Sequence, residues 1–74
     1  MYKWNIDIVL KSGHILNCEY VGPENKSDDV VRNLFHGKAP TDWIGLAANN
    51  HTHQIFVASG EMAAIDIYEG KGDI

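Results

Sequence analysis

The segment Tyr2–Leu10 alternates between large apolar and smaller polar side chains, and this alternation constrains the fold more than any other feature of the sequence. A period of two is typical of a β-strand with one buried face, because successive side chains of a strand point to opposite sides of the sheet. We therefore predict a first strand here, with Trp4 in the core or at a subunit interface. The apolar phase consists of Tyr2, Trp4, Ile6, Ile8 and Leu10.

Four further strands are predicted along the chain. Gly13 permits a tight hairpin after the first strand, because glycine adopts positive φ without strain. A second strand then covers residues 14–21, and Ile15 and Val21 fall in the phase opposite to its other apolar residues, so we expect this strand to be covered on both faces. The last three strands are predicted at residues 43–48, 53–58 and 62–69, the last entered through a helical turn at residues 61–63.

One short amphipathic helix is predicted between the second and third strands. Ser27 is a favourable N-cap, and the two aspartates after it suit the positive end of the helix dipole. An apolar stripe follows over residues 30–35, and Gly37 is a natural terminating residue. The order ββαβββ predicts an α+β fold, in which a mainly antiparallel five-stranded sheet curls or forms a partial barrel.

The chain of 74 residues is long enough for one domain only, predicted at residues 1–69 with a frayed tail at residues 70–74. A domain of this size buries only about 60% of its unfolded surface, and small domains usually add disulfides, a metal or self-association. Cys18 is the single cysteine, which excludes an internal disulfide and a cysteine-based zinc site. We therefore expect a homo-oligomer, with an unusually well-packed monomer as the alternative.

Charge and hydropathy exclude several classes of partner. Ten acidic residues against six Lys and Arg give a net charge of −4, so we expect neither a nucleic-acid polymer nor an anionic membrane as partner. No apolar run approaches the roughly 20 residues of a membrane span, and the first residues do not resemble a signal peptide. With a free cysteine, this predicts a cytoplasmic protein.

No enzyme motif is present, and we predict a protein that is not an enzyme and needs no cofactor. The sequence has no nucleophile elbow, zinc-protease helix or phosphate-binding glycine loop. Cys18 lies in phase with Leu16 and Tyr20, which indicates a small buried hydrophobic residue rather than a nucleophile.

The histidines offer a weak alternative. His51 and His53 are two positions apart, so on a strand they would share a face and bind one metal, with His36 or Asp42 as a third ligand. The segment "NNHTH" is explained more simply as a turn, and we predict no metal site. A weak metal-dependent hydrolase stays an alternative that this pair would support.

The segment "HGKAPTDW", residues 36–43, is the best candidate for ligand contact. An aromatic plane, cations and short hydrogen-bonding side chains are the groups that bind nucleotides. The alternative is that Trp43 is a core residue and the polar residues form a turn around Pro40. The predicted ligand-binding residues are Arg32, His36, Lys38, Thr41, Asp42, Trp43, Asn49 and Asn50.

The chain as a whole resembles short uncharacterised proteins encoded by phages and prophages of Gram-positive bacteria. The resemblance lies in "W.IDIVLKSGHIL", "Y.G", "LF.GK", "WIGL" and "AAIDIYE", in this order. The first hairpin, "LKSGHILNCEYVG", is also similar to that of Sm-like small barrels, from which the helix after the second strand departs.

The phage resemblance implies action in the host cytoplasm, either in takeover of the host or in evasion of its defence. Small oligomeric phage proteins hold nucleotide immune signals between subunits without cleaving them. By this resemblance we expect a protein that binds and sequesters a nucleotide-derived small molecule at subunit interfaces. The alternative is an inhibitor that binds a host enzyme or defence protein.

Overall fold

The computed structural model describes residues 1–70, which form one five-stranded sheet with a helix packed on one side. The order ββαβββ confirms the predicted α+β fold. Most of the predicted tail, residues 71–74, lies outside the described residues. The elements are β1 (Tyr2–Leu10), β2 (Ile15–Gly22), α1 (Ser27–Phe35), β3 (Trp43–Ala48), β4 (Gln54–Ala58), a 3-10 turn (Ser59–Glu61) and β5 (Met62–Glu69).

The sheet is antiparallel throughout, with the strand order β4-β3-β2-β1-β5. It is curled but not closed, so β4 and β5 are its two edges. β1 pairs with β2 from Tyr2 to Val9, whereas β2 and β3 share only two pairs, Cys18 with Ala48 and Glu19 with Ala47. We call this short junction the β2–β3 seam.

The register assigns each side chain to one of two faces. The inner face, which α1 covers, carries the core, and Ile6, Ile8 and Val30 of this core are fully buried. Trp4 is 5% exposed and lies in the core, the first of the two places predicted for it. The strand positions that alternate with these core-facing residues form the opposite side of the sheet, which we call the outer face. The buried cluster consists of Trp4, Ile6, Ile8, Cys18, Val30, Ile44, Leu46 and Val57.

The helix begins at Ser27, the residue predicted to cap it, and therefore starts one residue earlier than predicted. Lys26 is the N-cap, without a side-chain hydrogen bond, and Ser27 is the first helical residue, so the predicted capping role of Ser27 is wrong. Lys26 has the extended φ and ψ that a cap position requires. At the other end Gly37 has φ +68°, which confirms it as the terminating residue.

A buried carboxylate fixes the connection between β2 and α1. Glu24 accepts hydrogen bonds from Tyr20 (2.7 Å) and from the side-chain amide of Asn33, and its backbone oxygen accepts one from the Trp4 indole (2.9 Å). The hydrogen bond from Tyr20 is the main cause that lowers the pKa of Glu24, and the same contact raises the pKa of Tyr20 to about 12. These contacts connect β1, β2 and α1 at one end of the core.

The turns follow the sequence closely. Gly13 has φ +91°, and Leu10 donates a hydrogen bond to His14 O (2.8 Å) across the predicted hairpin. The 3-10 turn lies at Ser59–Glu61, two residues before its predicted place. The earlier start follows from contacts with the loop before β3, since Gly60 donates a hydrogen bond to Pro40 O (2.7 Å).

Candidate functional site

Two large aromatic side chains are exposed next to each other on the outer face. Trp43 is 63% exposed and Phe56 is 61% exposed, although both lie within strands. The register places Trp43 opposite Ala58 and Phe56 opposite Gly45, so the two rings are diagonal neighbours. We call these two residues the aromatic patch. Trp43 therefore does not belong to the core, and the alternative of a core tryptophan is wrong.

The aromatic patch is on the outer face because its strands alternate strictly. Ile44 and Leu46 of β3 and Val57 of β4 point into the core, and this leaves the intervening positions on the opposite side. On β2, Ile15 is 54% exposed and Val21 is 43% exposed, so the expectation that this strand is covered on both faces is wrong. The outer face thus carries four exposed apolar side chains on β2, β3 and β4.

A buried carboxylate lies between these apolar positions. Glu19 is 7% exposed although it belongs to the outer face, because two side chains cover it. Lys3 Nζ lies 3.0 Å from Glu19 Oε1, and His51 Nε2 lies 2.7 Å from Glu19 Oε2. The His51 contact is close but lacks the alignment of a hydrogen bond, so Glu19 Oε2 has no hydrogen-bond partner within residues 1–70.

His51 reaches Glu19 from a left-handed turn. Its φ is +60°, and it is the only non-glycine residue of residues 1–70 with positive φ. Such a conformation costs free energy for a residue with a β-carbon. Asn50 shapes the same turn, since its Oδ1 accepts hydrogen bonds from the Thr52 N–H (3.2 Å) and hydroxyl (2.7 Å). This confirms that residues 49–52 form a turn between β3 and β4.

Two aspartates face each other on the other half of the outer face. Asp7 of β1 lies directly opposite Asp66 of β5, and we call them the acidic pair. Tyr68 donates a hydrogen bond from its hydroxyl to Asp7 Oδ2 (3.1 Å), which is the main cause that raises the pKa of Tyr68. Within residues 1–70, neither aspartate forms an ion pair. Like charges directly opposite on a sheet destabilise it, so the pair requires an explanation.

The loop predicted to contact a ligand is held by its own polar residues. Asp42 Oδ2 accepts a hydrogen bond from the Ala39 N–H (2.7 Å), and Ser59 donates its hydroxyl to Ala39 O (2.7 Å). His36, Lys38 and Thr41 are exposed. Asp42 therefore shapes the loop, while the other three side chains are free to meet solvent.

The eight predicted ligand-binding residues divide between the two sides of the molecule. Arg32 lies on α1, which covers the inner face, and forms an exposed ion pair with Asp29 (2.9 Å). Trp43 lies on the outer face. Asn49 and Asn50 are exposed at the β3–β4 turn, at the other end of β3 from Trp43.

Cys18 is 1% exposed and lies in the core, which confirms its predicted structural role. Burial raises the pKa of its thiol, and the nearby charge of Asp7 adds to this shift. Within residues 1–70, no three His, Cys, Asp or Glu side chains converge as metal ligands would. His53 Nδ1 lies 2.8 Å from the Thr52 hydroxyl. No helix in the described part of the chain has the length and apolarity needed to cross a membrane.

Sequence reasoning did not single out Phe56, Glu19 or the acidic pair. A signal for Phe56 was present in "QIFV", where Ile55 and Val57 share the inner phase and leave Phe56 in the other. For Glu19 the signal was only its position in an apolar strand, because its cover comes from the distant turn that carries His51.

Comparison of the chain with protein-family models, with curated proteins and with solved structures found no significant match.

Proposed function

We propose that the protein is a non-catalytic binding protein that contacts another protein through the outer face of its sheet. The observation that supports this is the aromatic patch, in which Trp43 and Phe56 are both more than half exposed on adjacent strands. Tryptophan is among the residues most enriched at the energetic centres of protein interfaces. A neighbouring pair of exposed aromatic residues is therefore better explained by a contact than by chance.

The gain from covering the aromatic patch is large enough to drive binding. A fully buried aromatic side chain removes roughly 150–250 Å² from water, so covering the exposed parts of two such residues is worth about 6 kcal/mol before the costs of association. The chain measures 32 × 26 × 18 Å. A flat contact on its broad side would approach the roughly 800 Å² per partner of a standard interface.

The phage resemblance implies a class of partner for this contact. The partner would be a host enzyme or defence protein that the chain inhibits, and the contact would take place in the cytoplasm. The unpaired thiol of Cys18 supports that compartment, because oxidising compartments favour disulfides.

The test compares the proteins retained by immobilised wild type and by variants. W43A/F56A should lose a stoichiometric partner that the wild type retains from host lysate. Tyr2→Ala and Val31→Ala are matched controls, because both residues are exposed and apolar but lie outside the outer face. Retention of the same partner by W43A/F56A would contradict the proposal.

A second candidate function is sequestration of a nucleotide-derived small molecule between subunits. It is favoured by the position of Trp43, which directly follows the loop that exposes His36 and Lys38. A base would stack on the indole while the cations meet phosphate, in a homo-oligomer. This candidate requires calorimetric heat from a cyclic dinucleotide, cyclic trinucleotide or ADP-ribose derivative, and a mass above the monomer by light scattering.

A further inference from the structure

We infer that the outer face binds a basic protein surface, in which Lys or Arg side chains lie beside apolar ones. This inference rests on the proposed function and names the chemistry of its partner. Two features of the outer face carry it: the exposed aromatic patch and the acidic pair, which has no ion-pair partner within residues 1–70.

The acidic pair supplies uncompensated negative charge. Asp7 and Asp66 are held opposite each other by the pairing of β1 with β5, and Tyr68 is the only side chain that hydrogen-bonds either of them within residues 1–70. An opposed pair of like charges costs stability in the free protein. A cation from a partner would remove this repulsion, and the loss of the repulsion would make binding more favourable.

Glu19 lies between the acidic pair and the aromatic patch, and its charge is already paired within the protein. The register places Glu19 opposite Ala47 on β3 and opposite Asn5 on β1, hence between the acidic pair and Phe56. Lys3 Nζ lies 3.0 Å from one carboxylate oxygen and His51 Nε2 lies 2.7 Å from the other, and the Glu19 side chain is only 8% exposed, so Glu19 offers a partner no free charge.

The same charges argue against other occupants. A second copy seated on this face would offer the acidic pair only Lys3, which is already paired with Glu19. Nucleic acid would place phosphates against three carboxylates and a single lysine. The apolar side chains at both ends of the face, with acidic groups between them, match a surface that is apolar and cationic.

Three synthetic peptides test this chemistry. They share the same apolar residues, including one tryptophan, and differ only at the remaining positions, which are Lys and Arg, Ser, or Glu. Each is titrated into the ¹⁵N-labelled full chain, and amide shifts are mapped on the outer face. We expect the basic peptide to shift the amides of Asp7, Asp66 and Glu19 and the Trp43 indole, and to bind several-fold more tightly than the serine peptide.

A charge-matched pair of variants separates the acidic pair from net charge. D7N/D66N should bind the basic peptide about fivefold more weakly than wild type, by the usual magnitude of surface ion pairs. D28N/E61Q removes the same charge from the helix and the 3-10 turn, and should bind as wild type does. High salt should abolish the difference between the two variants.

The outcomes distinguish this inference from the proposed function. Equal binding of the basic and serine peptides, or an equal loss of affinity in both double variants, would contradict the inference that the partner is basic. The proposed apolar contact through Trp43 would still stand. Binding of none of the three peptides would likewise overturn the inference. The lysate experiment with W43A/F56A would then decide the proposed function by itself.

Discussion

The ring of Phe56 lies across Gly45 on the outer face, so that a β-carbon at position 45 would be 2.7 Å from Phe56 Cε1. Gly45 has no positive φ to explain its presence. The glycine therefore provides the surface on which the ring rests, and this contact sets the position of one half of the aromatic patch.

Gly45→Ala should be about 1 kcal/mol less favourable in the wild type than in an F56A background, because only in the wild type must the ring move to avoid the new methyl group. In an F56A background the same change should be neutral or stabilising, since alanine loses less backbone entropy than glycine on folding. Urea denaturation of the four proteins measures this coupling as a double-mutant cycle. An identical effect of Gly45→Ala in both backgrounds would show that the ring does not rest on Gly45.

The two tryptophans should report opposite environments. In W4F, which retains Trp43, fluorescence should be that of a hydrated indole and should be quenched readily by acrylamide. In W43F, which retains the 5% exposed Trp4, emission should lie at shorter wavelength and resist quenching. W43A should change the free energy of unfolding by only about 0.5 kcal/mol, against roughly 3 kcal/mol or more for W4A. Comparable losses in W43A and W4A would contradict the exposed position of Trp43.

Lys3→Met should lower the free energy of unfolding by about 2 kcal/mol, because it removes the lysine that pairs with the buried Glu19 carboxylate. Adding E19Q to this variant should recover part of the loss, since an amide is cheaper to bury than an unpaired charge. Lys11→Met is the control, as Lys11 is exposed and has no ion pair within residues 1–70. Equal stability of the two lysine variants in chemical denaturation would exclude the proposed role of Lys3.

The contact between Tyr20 and Glu24 should make stability depend on pH. The pKa of Glu24 is lower in the folded protein than its ordinary value of 4.5. Its contribution to the free energy of unfolding is therefore complete above that pH and is lost as the pH falls through the folded-state pKa. The pKa of Tyr20 is raised to about 12, so the contribution of its neutral form persists below pH 10 and is lost as the pH rises through about 12.

Tyr20→Phe should therefore cost about 1 kcal/mol at neutral pH, and less as acid protonates Glu24. Denaturation midpoints of wild type, Y20F and E24Q between neutral and acidic pH measure this. The E24Q variant should show a flatter pH dependence than wild type. A cost of Y20F that stays constant down to acidic pH would mean that the hydrogen bond does not depend on the Glu24 charge.

The strands could be predicted from the sequence, whereas the residues that meet on the outer face could not. Alternation over Tyr2–Leu10 gave β1 and its buried residues, and the bounds of β3 agree with the prediction, because both depend on neighbours along the chain. The opposition of Asp7 and Asp66 depends on which distant strands pair and in which register, and a single sequence does not contain that information. The burial of Glu19 could not be predicted for the same reason, since the His51 side chain that covers it belongs to another hairpin.

Trp43 shows how residue type alone misleads about burial. A tryptophan in a short strand is buried in most proteins, so the alternative of a core residue had good general support. Its phase relative to Ile44 and Leu46 contradicts that expectation.

The β2–β3 seam has a consequence for how the protein opens. Two residue pairs and a hydrogen bond from the Asn49 N–H to Asn17 O (3.2 Å) join the β3–β4 hairpin to the other three strands. Beyond these bonds, the packing of Ile44, Leu46 and Val57 into the core holds the hairpin, so we expect its amides to exchange with solvent together. The aromatic patch lies on this hairpin and the acidic pair on the more extensively paired strands. A partner that contacts both would hold the hairpin against the other three strands and would slow the hydrogen exchange of every amide in the hairpin.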